Sequence, residues 1–175
     1  DLACGGFRLG WITFPKELNL FYKKCKSFAS SIYSSANTPI QYATAEMIEN
    51  KEVFKENNIY TSNIFKFIAN QACQILDKSK LLYIKPQSSW YIFINFHNYE
   101  KQLRNINIYN SNNLANFLKN KFGIITVPGI CFSNYEITLR LSLVDFNIYL
   151  DTNHLEFLKN MKQGLFLLIN FLNKL

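Results

Sequence analysis

The sequence has 175 residues, 49% hydrophobic and 16% aromatic, which is ample for a packed core and far too apolar for a disordered polar chain. A formal charge of +7 invites a nucleic-acid or membrane partner, yet the lysines are scattered, densest at Lys23, Lys24 and Lys26. Such an excess describes a solvated surface, so neither partner is expected.

Four cysteines, Cys4, Cys25, Cys73 and Cys131, lie far apart, and the two histidines, His97 and His154, stand elsewhere. This spacing argues against a metal site and against a disulfide framework. It points to reduced, buried thiols in a cytoplasmic protein. Neither histidine has a neighbouring Ser, Asp or Cys to mark a nucleophilic triad. No targeting leader is visible at the first residues, and the apolar stretch 164–172 is too short for a membrane span of about 20 residues.

In chain order, Arg8 to Phe14 reads as a strand closed by Pro15, and Lys16 to Ser27 as a helix with Leu18, Phe21, Tyr22 and Cys25 at helical spacing. The serine-rich stretch 27–37 reads as a loop. Thr38 and Pro39 form a cap and first-turn pair for a helix to about Glu49. Asn57 and Asn58 punctuate the chain before a helix over Thr61 to Lys78. Trp90 to Phe96 is dense in β-branched and aromatic residues, the mark of a buried strand. A polar, irregular segment from Asn98 to Tyr109 follows. Ser111 caps a helix that ends at Gly123. Two strands, Ile124 to Val127 and Ile137 to Leu143, flank a Pro128-Gly129 turn, and His154 to Leu172 forms a last amphipathic helix. The alternation of sheet and helix predicts an α/β or α+β architecture.

The cations carry the most specific signal. Sixteen are lysine and three are arginine, at Arg8, Arg104 and Arg140. An arginine kept where lysine is the default suggests a planar, two-pronged donor for phosphate or carboxylate. Arg104 lies among polar residues and reads as an ordinary surface cation. Arg8 follows Gly5 and Gly6, which would let the backbone approach an anion. Arg140 sits among Leu139, Leu141 and Leu143, where a guanidinium must be paired or reach solvent. Its partner is either a carboxylate ligand or a structural one, Glu136 or Asp145.

Around these arginines, GGFRLGWITFPKEL (Gly5 to Leu18), NTPIQYA (Asn37 to Ala43), VPGICFS (Val127 to Ser133) and LRLSLVDF (Leu139 to Phe146) resemble, in order and spacing, the second half of a class I/II aminotransferase of fold type I. The resemblance implies an enzyme that uses pyridoxal 5'-phosphate (PLP) to exchange an amino group between an amino acid and a 2-oxo acid. It implies Arg8 as the cofactor-phosphate ligand and Arg140 as the substrate-carboxylate ligand. The Schiff-base lysine would fall immediately before Asp1, so no catalytic residue is expected within the segment. Residues 1–58 would be the end of the large, PLP-binding domain and 59–175 the small C-terminal α+β domain. The stretch Ser34 to Pro39 would reach the neighbouring subunit's site in a homodimer. The absence of any cation from Ser27 to Tyr33 predicts a preference for neutral or aromatic amino donors over aspartate. A PLP-sensing domain of a transcription regulator, or a lyase or synthase of the same fold, shares these motifs and stays open at this point.

Overall fold

The computed structural model describes residues 5–144 and 153–175, which divide into two compact units, one ending at Thr61 and one beginning at Ser62. The first unit is helical. After a 3-10 turn at Gly5–Phe7, the chain runs without regular structure to a second turn at Lys16–Leu18, then forms α1 (Asn19–Tyr33) and α2 (Thr38–Glu49). The strand expected from Arg8 to Phe14 does not form. A strand needs a ladder partner, every other regular element of this unit is helical, and Arg8 itself takes a left-handed backbone with φ 56°.

The serine-rich stretch after Ser27 is helical as far as Tyr33 rather than a loop. Ser31 turns its hydroxyl back onto the Ser27 carbonyl at 3.0 Å, so the polar side chain is satisfied without leaving the helix. At α2 the cap is one residue earlier than expected. Asn37 Oδ1 accepts the Ile40 N–H at 3.2 Å, and Pro39 occupies the first turn, where a missing N–H costs nothing.

A long helix, α3 (Lys51–Leu76), crosses the division between the units. It passes straight through Asn57 and Asn58, because asparagine lowers helix propensity by only a fraction of a kcal/mol, ~0.7. The real punctuation is Asn50, whose Oδ1 accepts the Val53 N–H at 3.3 Å.

The second unit packs helices on a four-stranded antiparallel sheet of order β1-β2-β4-β3, with β1 Leu82–Tyr83, β2 Tyr91–Asn95, β3 Val127–Pro128 and β4 Thr138–Ser142. Between the strands come α4 (Glu100–Asn105) and α5 (Ser111–Phe122), and α6 (Asn153–Leu172) follows them. The segment 98–109 is thus more ordered than its polarity suggests. Leu103 is fully buried and anchors α4, while Tyr99 Oη accepts the Lys80 N–H at 3.0 Å.

Asn110, not Ser111, caps α5 by accepting the Asn113 N–H at 2.9 Å. This frees the Ser111 hydroxyl to accept the Ile130 N–H at 3.3 Å, tying α5 to the turn after β3. Gly123 ends α5 in the left-handed region at φ 70°, as expected.

The core lies against one face of the sheet. Ile92, Ile94, Leu139 and Leu141 meet Ile68, Ala72 and Leu76 of α3, Leu114 and Leu118 of α5, and Leu165, Leu168 and Leu172 of α6 in one apolar cluster. Phe171 stacks with Phe117 and Phe122 at 5.1 and 5.6 Å between ring centres. The fold is a mixed helix and antiparallel-sheet arrangement, α+β in this unit. Among the described residues, no helix is long and apolar enough to cross a membrane.

Candidate functional site

Alternation along β4 decides what Arg140 faces. Leu139 and Leu141 are buried on the core side, whereas Arg140 is half-buried and Ser142 exposed. Arg140 therefore points away from the leucines that surround it in sequence, toward the opposite face of the sheet. Phe93 is its direct cross-strand neighbour on β2, Tyr91 lies diagonally on the same face, and Val127 of β3 is its partner on the other side.

The guanidinium packs against two aromatic rings. Its central carbon is 4.2 Å from the centre of the Tyr91 ring and 4.9 Å from that of Phe132, distances at which the ring quadrupole attracts a cation. Phe93 packs edge-on against Phe132 at 5.5 Å, with an interplanar angle of 79°. Of the guanidinium nitrogens, only Nε is both sealed from solvent and without a hydrogen bond.

The structural alternatives for Arg140 divide. Glu136 accepts a 2.5 Å hydrogen bond from Asn95 Nδ2 instead, and Asp145 lies outside the described residues. Among the described residues the ion pairs are His97 with Glu100 and Arg104 with Glu100, so none holds Arg140.

The turn that delivers Phe132 depends on Gly129. It starts a 3-10 turn, Gly129–Phe132, directly after β3, and a Cβ there would collide with Thr138 Oγ1. Thr138 is itself buried, and its hydroxyl has no hydrogen-bond partner. The absent side chain lets the turn close onto β4 two residues from Arg140.

The other two arginines differ from this one. Arg104 is a helix-surface cation, donating to Glu100 Oε1 from Nε at 3.2 Å and Nη2 at 2.6 Å. That bond holds the Glu100 carboxyl below its ordinary pKa. Arg8 is exposed, and its Nη1 donates to the Gly5 carbonyl at 3.2 Å. Its remaining N–H groups have no acceptor among the described residues and suit a phosphate dianion. Open space surrounds Gly5 and Gly6, where an added Cβ would meet nothing within 4 Å. By donor chemistry Arg8 fits the phosphate of PLP, while the glycines before it form no closed cradle among the described residues.

A separate polar cleft in the second unit, lined by Asn70, Asp77, Tyr83 and Lys85 among others, shares no residue with the Arg140 cluster. There the Tyr83 phenol donates to Asp77 Oδ1 at 2.5 Å and to the Cys73 carbonyl at 3.2 Å. Burial first, then the bond to Asp77, raises its pKa well above that of a free phenol. Of the described thiols, Cys73 is buried, Cys25 half-buried and Cys131 exposed, so the expectation of buried thiols fails at Cys131, while Cys4 lies outside the described residues. No group of metal-ligating side chains forms among the described residues.

Sequence reasoning singled out Arg140 and included Phe132 only within the Val127 to Ser133 motif, but missed Tyr91 and Phe93. The signal was present in Tyr91-Ile92-Phe93-Ile94, whose two-residue period puts both rings on the face opposite the two isoleucines.

The model of the aminotransferase class I and II family matches residues 1–161. No curated protein matches the sequence. Among solved structures, an aspartate aminotransferase tetra mutant of Thermus thermophilus shares 20% identity and a TM-score of 0.65, covering 93% of this chain and 40% of its own. The aromatic aminotransferase of Pyrococcus horikoshii shares 20% identity and a TM-score of 0.67, covering 93% of this chain and 39% of its own. An aspartate aminotransferase of Thermotoga maritima shares 21% identity and a TM-score of 0.66, covering 98% of this chain and 37% of its own. The chain thus spans about two fifths of the solved structures it resembles. With the family model covering all but its last fourteen residues (175 minus 161), the chain belongs to the class I and II aminotransferases.

Proposed function

We propose that this chain is the C-terminal segment of a PLP-dependent enzyme that moves an amino group between an amino acid and a 2-oxo acid. The observation that carries this reading is Arg140, a guanidinium packed against two rings with no carboxylate partner among the described residues. An arginine ordered by its neighbours but left without an anion is prepared for one that arrives as ligand.

Bound PLP supplies the electron sink for chemistry at the substrate's α-carbon. Arg8 holds its phosphate through the donors not used on Gly5, and Arg140 fixes the substrate carboxylate, which sets the orientation of the amino group. Residues 1–58 belong to the large domain and 59–175 to the small one, and the whole protein is a cytoplasmic homodimer. The cation-free stretch Ser27 to Tyr33 leaves a distal substrate carboxylate without a bidentate partner, which favours neutral or aromatic donors.

Arg140→Lys in the full-length enzyme tests the assignment, because it keeps the charge and loses the fork. The expected result is a strong fall in half-transamination efficiency with PLP still bound. An unchanged rate removes the carboxylate role. A panel of amino donors scored by kcat/KM tests the substrate class. Aspartate leading by about tenfold, or ~1.4 kcal/mol of transition-state preference, overturns it.

A further inference from the structure

Resting on the reading of Arg140 as the carboxylate ligand, we infer that Tyr91 and Phe132 are positioning residues that clamp its guanidinium so that a carboxylate is gripped end-on, by the two terminal nitrogens. Three observations combine. The rings lie 4.2 and 4.9 Å from the guanidinium carbon. Nε is sealed and unpaired. The rest of the guanidinium engages no hydrogen-bond acceptor among the described residues, and the side chain as a whole is only half-buried.

An arginine can meet a carboxylate side-on, through Nε and one Nη, or end-on, through both Nη atoms. Sealing Nε closes the first approach and leaves the second. The clamp also removes rotamer freedom from a long side chain before ligand arrives, a cost that would otherwise fall on binding. The two rings come from different elements. Tyr91 rides on β2, fixed by its register with Ser142, and Phe132 is brought by the turn that Gly129 permits. Phe93 packs edge-on against Phe132 and helps fix that ring. A cation held by aromatic rings keeps its positive charge available to a carboxylate, whereas a carboxylate pairing from within the protein would neutralise it.

The test uses the full-length protein and 3-phenylpropanoate, a carboxylate with no amino group, against 3-phenylpropanamide, with affinities measured by calorimetry. Tyr91→Leu and Phe132→Leu should each weaken the carboxylate by about tenfold and leave the amide unchanged, whereas Tyr91→Phe, which keeps the ring, should bind like the unmodified protein. Carboxylate affinity unchanged in both leucine variants overturns the clamp. If Arg140→Lys leaves carboxylate affinity intact, the underlying assignment of Arg140 fails instead, so the two failures are distinguishable.

Should the leucine variants not fold, nitrogen-15 NMR of the unmodified protein decides alone. The Arg140 side-chain protons should be shifted upfield by the flanking rings, and adding 3-phenylpropanoate should move the Nη signals while Nε–Hε stays in place. A large downfield shift at Nε–Hε overturns end-on binding, and the absence of ring-current shifts overturns the clamp.

Discussion

From Gly5 to Tyr60 no residue is buried, although that stretch contains Phe7, Trp11, Phe21, Phe28 and Ile32, all exposed. From Ser62 onward the chain closes a continuous core that takes in both helices and sheet. The two units have comparable apolar content but opposite burial. α1 and α2 are helical with their apolar side chains exposed in this chain, whereas the second unit has removed its apolar side chains from water, the larger source of stability. The candidate carboxylate arginine sits on the unit that has a core, and the candidate phosphate arginine on the one that lacks it.

The largest expected effect tests this contrast directly. Phe96 is fully buried in the second unit, so Phe96→Ala should cost about 3–5 kcal/mol in denaturant unfolding. Phe28 on α1 is 69% exposed, and Phe28→Ser should stay within about 0.5 kcal/mol in the same chain. Equal costs at the two positions would erase the distinction.

Next in size is ligand binding by the uncored unit. Arg8→Ala should weaken PLP binding by on the order of 2–4 kcal/mol, measured by equilibrium dialysis of the full-length protein. Unchanged affinity would remove Arg8 from the phosphate site.

A smaller effect separates the helix ends. Gly123 closes α5 at φ 70°, where Gly123→Ala should cost about 1 kcal/mol. Ser34 closes α1 at φ 65° without that freedom, so Ser34→Gly should raise stability by about 0.5 kcal/mol or more. Thermal melts of both variants read this out, and a loss from Ser34→Gly would contradict it.

The smallest concerns acid. Because Arg104 holds the folded Glu100 carboxyl below its ordinary pKa, their pairing stabilises the fold above the unfolded carboxylate's pKa and is lost as pH falls through the lower, folded one. Glu100→Gln should therefore narrow, slightly and only at low salt, the drop in melting temperature on acidification. Both groups are exposed to solvent, which keeps the effect small. A wider drop would show the opposite linkage.

What the sequence revealed followed local rules. The Gly123 cap, the β2 strand and the span of α2 are written in spacing and backbone chemistry, and the structure places them within a residue or so of expectation. The expected strand at Arg8 to Phe14 failed because a strand is defined by a neighbour that spacing does not specify. The break at Asn57 and Asn58 failed because asparagine is a weak breaker where an amphipathic helix continues on both sides. At the candidate site, chain pattern marked Arg140, but its clamp joins residues 91, 132 and 140, which the register of β2 on β4 and the turn at Gly129 bring together. The family relation likewise rested on motif order rather than on any one element.

The contact of Gly129 with Thr138 sets an order on how this region can vary. A methyl group at 129 collides with a hydroxyl that has no hydrogen bond of its own, so Gly129→Ala forces Thr138 to shift while the threonine remains. Thr138→Ala removes the obstructing oxygen and an unsatisfied buried group together, and can therefore come first. Even then, the Thr138 Cβ and carbonyl oxygen stand 3.1 Å from the new carbon, so β4 would have to yield by a few tenths of an ångström. The two positions are thus coupled by history: one substitution is permissive and the other contingent, and a lineage that takes them in reverse order must pass through a strand displaced beside its own arginine.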